Sequence, residues 1–232
     1  MALARNKYPR VFAVPGNHDH WQGNHLAGIA NIPWTDLHGR FFPKGPGWVQ
    51  TITVGSTCLQ LIGLDSTLGP GLRLAARGKL TEEQITHVQG LLKEREHCPP
   101  EGKNLVRVLL VHHSIGGDML HAYSGGSLER LKSFVEDYKI NVILTGHVHL
   151  PSWPDHSDEA LALGSEFRCG TTLQGAARGR EPSPWGQTFF VHEITTEDSE
   201  NPKWITTLFM RRTTTGLTSF HEFASPTVYP LR

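Results

Sequence analysis

Three cysteines, Cys58, Cys98 and Cys169, are all that 232 residues contain, and no two of them stand in C-x-x-C spacing. Thiols scattered in this way exclude a disulfide framework and a zinc finger, and they fit a reducing compartment. An excess of charge of one sign is lacking as well. The 22 Lys and Arg balance the 22 Asp and Glu, which leaves no electrostatic signal for nucleic acid or an anionic membrane as a partner. No apolar run approaches the roughly 20 residues that a membrane-spanning helix needs. Residues 1–10 are polar and basic, without the apolar stretch of a secretory leader. These absences point to a cytoplasmic chain forming one domain over residues 1–232, long enough to bury a real core. They say nothing of oligomeric state.

Strand and helix patterns alternate through the first two thirds. Val11 to Val14 is a short apolar run ending in Pro-Gly and predicts a strand that enters a loop. Trp48 to Val54 and Cys58 to Leu64 predict two strands, with Gly55-Ser56 between them as a hairpin turn. Thr81 and Gln84 form a capping box at the start of a helix whose inner face carries Ile85, Val88, Leu91 and Leu92, and Cys98-Pro99-Pro100 ends it. Leu105 to Val111 reads as a buried strand. Ser127 to Tyr138 is a second amphipathic helix, with Leu128, Leu131, Val135 and Tyr138 inward, and Ile140 to Leu144 is another strand. After Pro151 the pattern turns to strands and polar turns: Ala160 to Leu163, Phe167 to Leu173, Gln187 to Ile194 and Trp204 to Met210.

Histidine is what the chain has in excess, with fourteen residues. Six of them fall in three clusters, each directly after a predicted buried strand. Val11 to Val14 runs into Gly16-Asn17-His18-Asp19-His20, Leu105 to Val111 into His112-His113, and Ile140 to Leu144 into Gly146-His147-Val148-His149. Ligands of open α/β sheets bind outside the carboxyl ends of the strands. Imidazole and amide groups gathered there suit a first-row transition metal. Taken singly, each cluster also fits a plainer role as a polar turn or a strand cap. Their joint placement at three strand ends points to one centre, with His147 and His149 on one side of an extended segment and able to serve two ions about 3.5–4 Å apart.

The triple G-N-H-D, V-H-H and G-H-V-H resembles the calcineurin-like metallophosphoesterase superfamily, and the resemblance covers Val11 to Pro151 well. It implies a four-layer α/β/β/α sandwich, with two transition-metal ions (Mn, Fe or Zn) at the strand ends and a bridging hydroxide that attacks a phosphoester. It further implies that Asn17, His112 and His147 ligate the second metal and His149 the first. By the same resemblance His18 is expected to stabilise the transition state and protonate the leaving oxygen. Leu64-Asp65-Ser66 followed by Gly78-Lys79-Leu80-Thr81-Glu82-Glu83-Gln84 is similar to the cyclic-nucleotide phosphodiesterase-like branch. That branch carries His-His-Pro-Pro where this chain has His112-His113-Ser114-Ile115, so the substrate is expected to be a small phosphoester of open identity.

The absence that matters most is of oxygen donors. The family's D-x-H and G-D-x-x-D precede G-N-H-D, and neither is found here. No Asp, Glu or His stands before Gly16. Asp36-Leu37-His38 comes too late in the chain, and Asp65 and Asp19 match no ligand position. The simplest account is an N-terminally truncated chain that lacks the family's first strand–helix–strand unit. Two functions follow as expectations: a metal-dependent phosphoester hydrolase, or a catalytically impaired fragment or non-catalytic scaffold of the same fold.

Overall fold

A computed structural model describes residues 12–16, 47–55, 57–67, 77–94, 104–116, 123–148, 150–154, 164–170, 187–195, 203–211, 220–223 and 225–230. The first sheet begins with the expected hairpin. Strands β1 (Gly47–Val54) and β2 (Thr57–Leu64) pair antiparallel from Gly47 opposite Leu64 to Val54 opposite Thr57. From β2 onward the sheet is parallel: β3 (Asn104–Val111), β4 (Val142–Thr145) and β5 (Ser165–Arg168) follow in that spatial order. Parallel neighbours need crossover connections. Helix α1 (Glu82–Glu94) supplies the one between β2 and β3, and α2 (Ser127–Asp137) the one between β3 and β4.

Helix α1 buries the face that its periodicity predicts; in α2 Leu131 and Val135 point inward as expected with Tyr138 at the edge, but Phe134 rather than Leu128 completes the core. Ile85, Val88 and Leu92 of α1, with Leu91 at the edge, pack with Leu131, Phe134 and Val135 of α2. They meet Val49, Ile62, Leu64, Leu109, Val111 and Ile143 from one face of the sheet. Ile62, Leu109 and Ile143 are fully buried, each contributing about 2 kcal/mol of apolar transfer. The opposite face presents Val106, Val108 and Val142 to a second core with Phe167, Trp204 and Tyr229. Alternate residues of β3 and β4 thus serve different cores, as the two-residue period of a strand dictates.

The second sheet is antiparallel. It comprises β6 (Gln187–Thr195), β7 (Lys203–Arg211), β8 (His221–Glu222) and β9 (Thr227–Pro230), with both β8 and β9 pairing β7. Helices, first sheet and second sheet are three layers of the expected four-layer sandwich. The fourth is not among the described residues. Residues 160–163, the Cys98-Pro99-Pro100 stop and Leu173 also lie outside them. Trp153 packs against the second core, with its ring 6.1 Å from Phe190, as a rim residue.

Two local expectations are corrected. Residues 12–16 form no strand. The Ala13 carbonyl accepts a hydrogen bond from the Trp48 indole at 3.2 Å, and Phe12 stacks on the Trp48 ring, so a side chain of β1 docks this segment. The capping box is half made. Gln84 donates its backbone N–H to Oγ1 of Thr81, but its side-chain amide reaches away, to the Asp65 carbonyl at 3.0 Å. Tying the end of β2 to α1 satisfies a buried carbonyl, which outweighs a bond to an N–H that water can reach.

Candidate metal centre

Because β3 and β4 are parallel neighbours, both end at the same edge of the sheet. His112 and His113 follow β3 directly, and Gly146 and His147 follow β4. The Gly146 N–H donates to the His112 carbonyl at 3.1 Å, which locks the two ends together. The backbone then turns left-handed at His147, with φ 67°. For a residue with a Cβ this conformation costs of order 1 kcal/mol and gathers at functional sites. It brings Nδ1 of His147 to 3.1 Å from Nε2 of His112.

Gly16 closes a third side. A Cβ there would lie 2.8 Å from Cε1 and 2.9 Å from Nδ1 of His112, so the backbone passes against the imidazole where only glycine fits. Asn17, His18, Asp19 and His20 follow immediately in sequence but lie outside the described residues, as does His149. Of the expected site residues, the structure therefore describes His112 and His147 and brings them together.

A third imidazole backs the pair. His113 is 1 % exposed, and its ring centroid lies 4.4 Å from that of His147 and 5.1 Å from that of His112. Ser66, at the end of β2, holds Nδ1 of His113 at 2.7 Å and accepts the His113 backbone N–H at 3.3 Å. The Tyr123 hydroxyl donates to the His113 carbonyl at 2.8 Å. Burial, reinforced by the negative charge of Glu166, holds the Tyr123 phenol well above its ordinary pKa, so it is a protonated donor at neutral pH. Gly78 admits this packing, since a Cβ there would lie 2.8 Å from the Tyr123 ring and 2.9 Å from that of His113. The L-D-S and G-x-L-x-x-x-Q segments are thus one physical unit behind the histidines. Asp65 belongs to it structurally. Its Oδ1 accepts the Thr67 backbone N–H at 2.8 Å and the Thr67 hydroxyl at 2.5 Å, an Asx-turn that shapes the exit from β2.

The strand next to β4 adds two charged groups that sequence reasoning missed. On β5, Glu166 bonds Thr145 and accepts the Gly116 N–H at 3.3 Å. Arg168 donates from Nη1 to Oγ of Ser114 at 3.2 Å and from Nε to the Leu150 carbonyl at 3.0 Å. No motif announces either residue. The available signal was the alternation of Glu166 and Arg168 on one face of a short strand beside the G-H-V-H loop.

Two ligand nitrogens at about 2.0–2.1 Å from one ion stand roughly 3 Å apart when they subtend near a right angle. The His112–His147 spacing fits that arrangement, and imidazole is a suitable donor for Zn or Fe. Without an ion the same contact serves as an imidazole–imidazole hydrogen bond. Among the described residues no group of three or more His, Cys, Asp or Glu converges as a metal cage.

A family model for calcineurin-like phosphoesterases matches residues 1–151, more than half of the chain. The chain belongs to the calcineurin-like phosphoesterase family. The matched region of this calcineurin-like phosphoesterase contains all three histidine clusters. Among solved structures it is similar to GAP50, the anchor in the inner membrane complex of Plasmodium, at 13% identity and a TM-score of 0.44, covering 76% of this chain and 53% of that one. It is also similar to a protein named as a 5′-nucleotidase from Staphylococcus aureus, solved with alpha-ketoglutarate, at 13% identity and a TM-score of 0.36, covering 95% of this chain and 38% of that one. The chain therefore spans about half the length of the first and less of the second, and the assignment rests on the family match. No curated protein sequence matches this calcineurin-like phosphoesterase. Among its described residues no helix is long and apolar enough to cross a membrane.

Proposed function

We propose that this chain carries the histidine side of a dinuclear phosphoester-hydrolase site, with Asn17, His112, His147 and His149 as metal ligands and His18 as proton donor to the leaving oxygen. The observation that carries the reading is the approach of His147 Nδ1 to His112 Nε2 at 3.1 Å, held by a left-handed residue at a strand end. When bound, transition-metal ions at such a site polarise a phosphoryl oxygen and lower the pKa of water. The protein's share is placement. Gly16 passes against the His112 ring and Gly146 holds its backbone carbonyl, while His113, itself held by Ser66, backs the His147 ring. Asn17 directly follows Gly16 in sequence, which supports assigning it to the same centre. His18, next along, supplies a proton to the departing alkoxide as general acid.

A non-catalytic scaffold of the same fold is the second reading. It takes the chain as it stands, with neither D-x-H nor G-D-x-x-D ahead of Gly16 among these 232 residues. One experiment separates the two: hydrolysis of a bis-aryl phosphate with added Mn²⁺, alongside measurement of bound metal. The hydrolase reading expects metal-dependent turnover that His147→Ala abolishes and His20→Ala leaves largely in place. A folded preparation with neither turnover nor stoichiometric metal decides for the scaffold.

A further inference from the structure

Three consecutive parallel strands end at one edge of the first sheet, and each carries a side chain of notable chemistry at or just past its end: His112 directly after β3, His147 two residues after β4 and Arg168 as the last residue of β5. Arg168 is level with Thr145 in the β4–β5 register, two residues before His147. Its backbone is fixed on the other side by paired hydrogen bonds with Ser152, at 2.9 and 2.8 Å. Its guanidinium is fixed as well, by Ser114, which directly follows His112-His113, and by Leu150, which directly follows His149. Ser114 is 1 % exposed, so one end of this clamp is buried in the wall of the site.

Both partners of the guanidinium are neutral. Arginine carries five N–H donors and a charge that it cannot lose. Two donors are committed here, and among the described residues the other three have no hydrogen-bond or ion-pair partner. The carboxylate on the same strand face, Glu166, is engaged by Thr145 and the Gly116 N–H. A purely structural clamp between two loops needs hydrogen bonds, for which lysine or glutamine suffices. A rigid cation without a carboxylate partner among the described residues, at the same sheet edge as His112 and His147, suits an anion, and the planar fork matches phosphoryl oxygens.

We infer that Arg168 is a substrate-binding residue that receives the phosphoryl oxygens of the phosphoester through its uncommitted N–H groups. The inference rests on the hydrolase reading for its substrate class, but its test does not depend on turnover. Inorganic phosphate is the probe, titrated by ³¹P NMR against the full chain, Arg168→Gln and Arg168→Lys. Arg168→Gln is expected to weaken phosphate binding about tenfold or more, the cost of losing charge-assisted hydrogen bonds, and Arg168→Lys is expected to lose less. Because Arg168→Gln also frees Ser114, the unaltered chain is tested in parallel. Phosphate should slow modification of Arg168 by phenylglyoxal at least several-fold, as read by mass spectrometry, and leave exposed Arg130 unprotected. Equal phosphate affinity in parent and Arg168→Gln, no phosphate binding by the parent, or no protection of Arg168 each overturns the inference. Phosphate held through Arg168 in a chain without turnover supports the inference and sinks the hydrolase reading instead.

Discussion

The Trp204 indole donates to Nδ1 of His192 across 3.2 Å in the core between the two sheets. The same nitrogen lies 2.9 Å from Oγ1 of Thr206. The indole N–H is shared, since it also reaches Oγ1 of Thr206 at 3.0 Å, and burial of the imidazole favours its neutral form. Phe167 and Phe190 flank the ring. Burial there pushes the His192 pKa down from 6.5 to about 4.

Stability should therefore fall on acidification within a defined window. Between pH 6.5 and 4 the unfolded chain holds a proton at His192 and the folded chain does not. The contribution is complete above pH 6.5, is lost as pH falls to 4, and levels off below. It amounts to about 3 kcal/mol at most. Urea midpoints at pH 7.5, 5.5 and 4 for the parent and His192→Gln check this. The variant should be less stable at pH 7.5 and show a flatter slope below 6.5, and an identical slope in the two proteins would contradict it.

Gly16→Ala should destabilise the folded chain through a specific partner. The new methyl meets the His112 ring at 2.8 Å, an overpacking that costs about 1–3 kcal/mol. In a His112→Ala background that cost should largely vanish, because the methyl then occupies vacated space. Equilibrium unfolding of the double-mutant cycle gives the coupling energy directly, and additive effects would mean that Gly16 is needed for another reason.

His147→Asn is expected to separate folding from ligation. Asparagine tolerates the left-handed backbone better than histidine does, so the variant should keep its stability or gain up to about 1 kcal/mol. Its affinity for Mn²⁺ or Zn²⁺ by calorimetric titration should drop at least tenfold, on the scale of losing a ligand or its support. A large loss of stability would show that the ring contacts with His112 and His113 outweigh the backbone strain.

Gln84 should matter more than the cap it shares with Thr81. Thr81→Ala removes an N-cap acceptor worth about 1 kcal/mol. Gln84→Ala leaves the Asp65 carbonyl without its side-chain donor in a buried place, a loss of about 1–3 kcal/mol. Thermal melts of the two variants rank the effects, and a larger shift for Thr81→Ala would return Gln84 to a simple capping role.

Periodicity and strand-end clusters carried most of the legible information. The hairpin, both helices and the strands before His112 and His147 follow from alternation and amphipathic spacing, because burial on one face writes a period into the sequence. The segment ahead of Gly16 misled for the same reason. Four apolar residues look like a strand, but Phe12 and Ala13 among them dock on the Trp48 indole, and no local pattern announces that. Ser66 was visible as a motif letter without a role, since its partner His113 lies 47 residues away. Glu166 and Arg168 were invisible because their meaning comes from strand order, which places β5 beside β4.

The parallel run from β2 to β5 has one more consequence. In the first sheet only the β1–β2 hairpin pairs residues close in sequence, whereas the His112–His147 contact joins residues 35 apart across two neighbouring strands. The crevice therefore exists only once the slow, non-local pairings have formed. Any molecule that binds there binds the fully folded chain alone, and its binding free energy adds to global stability by mass action. A rise in melting temperature is thus a direct readout of site occupancy, and ions, phosphate and candidate esters can be screened by heat before any reaction is known.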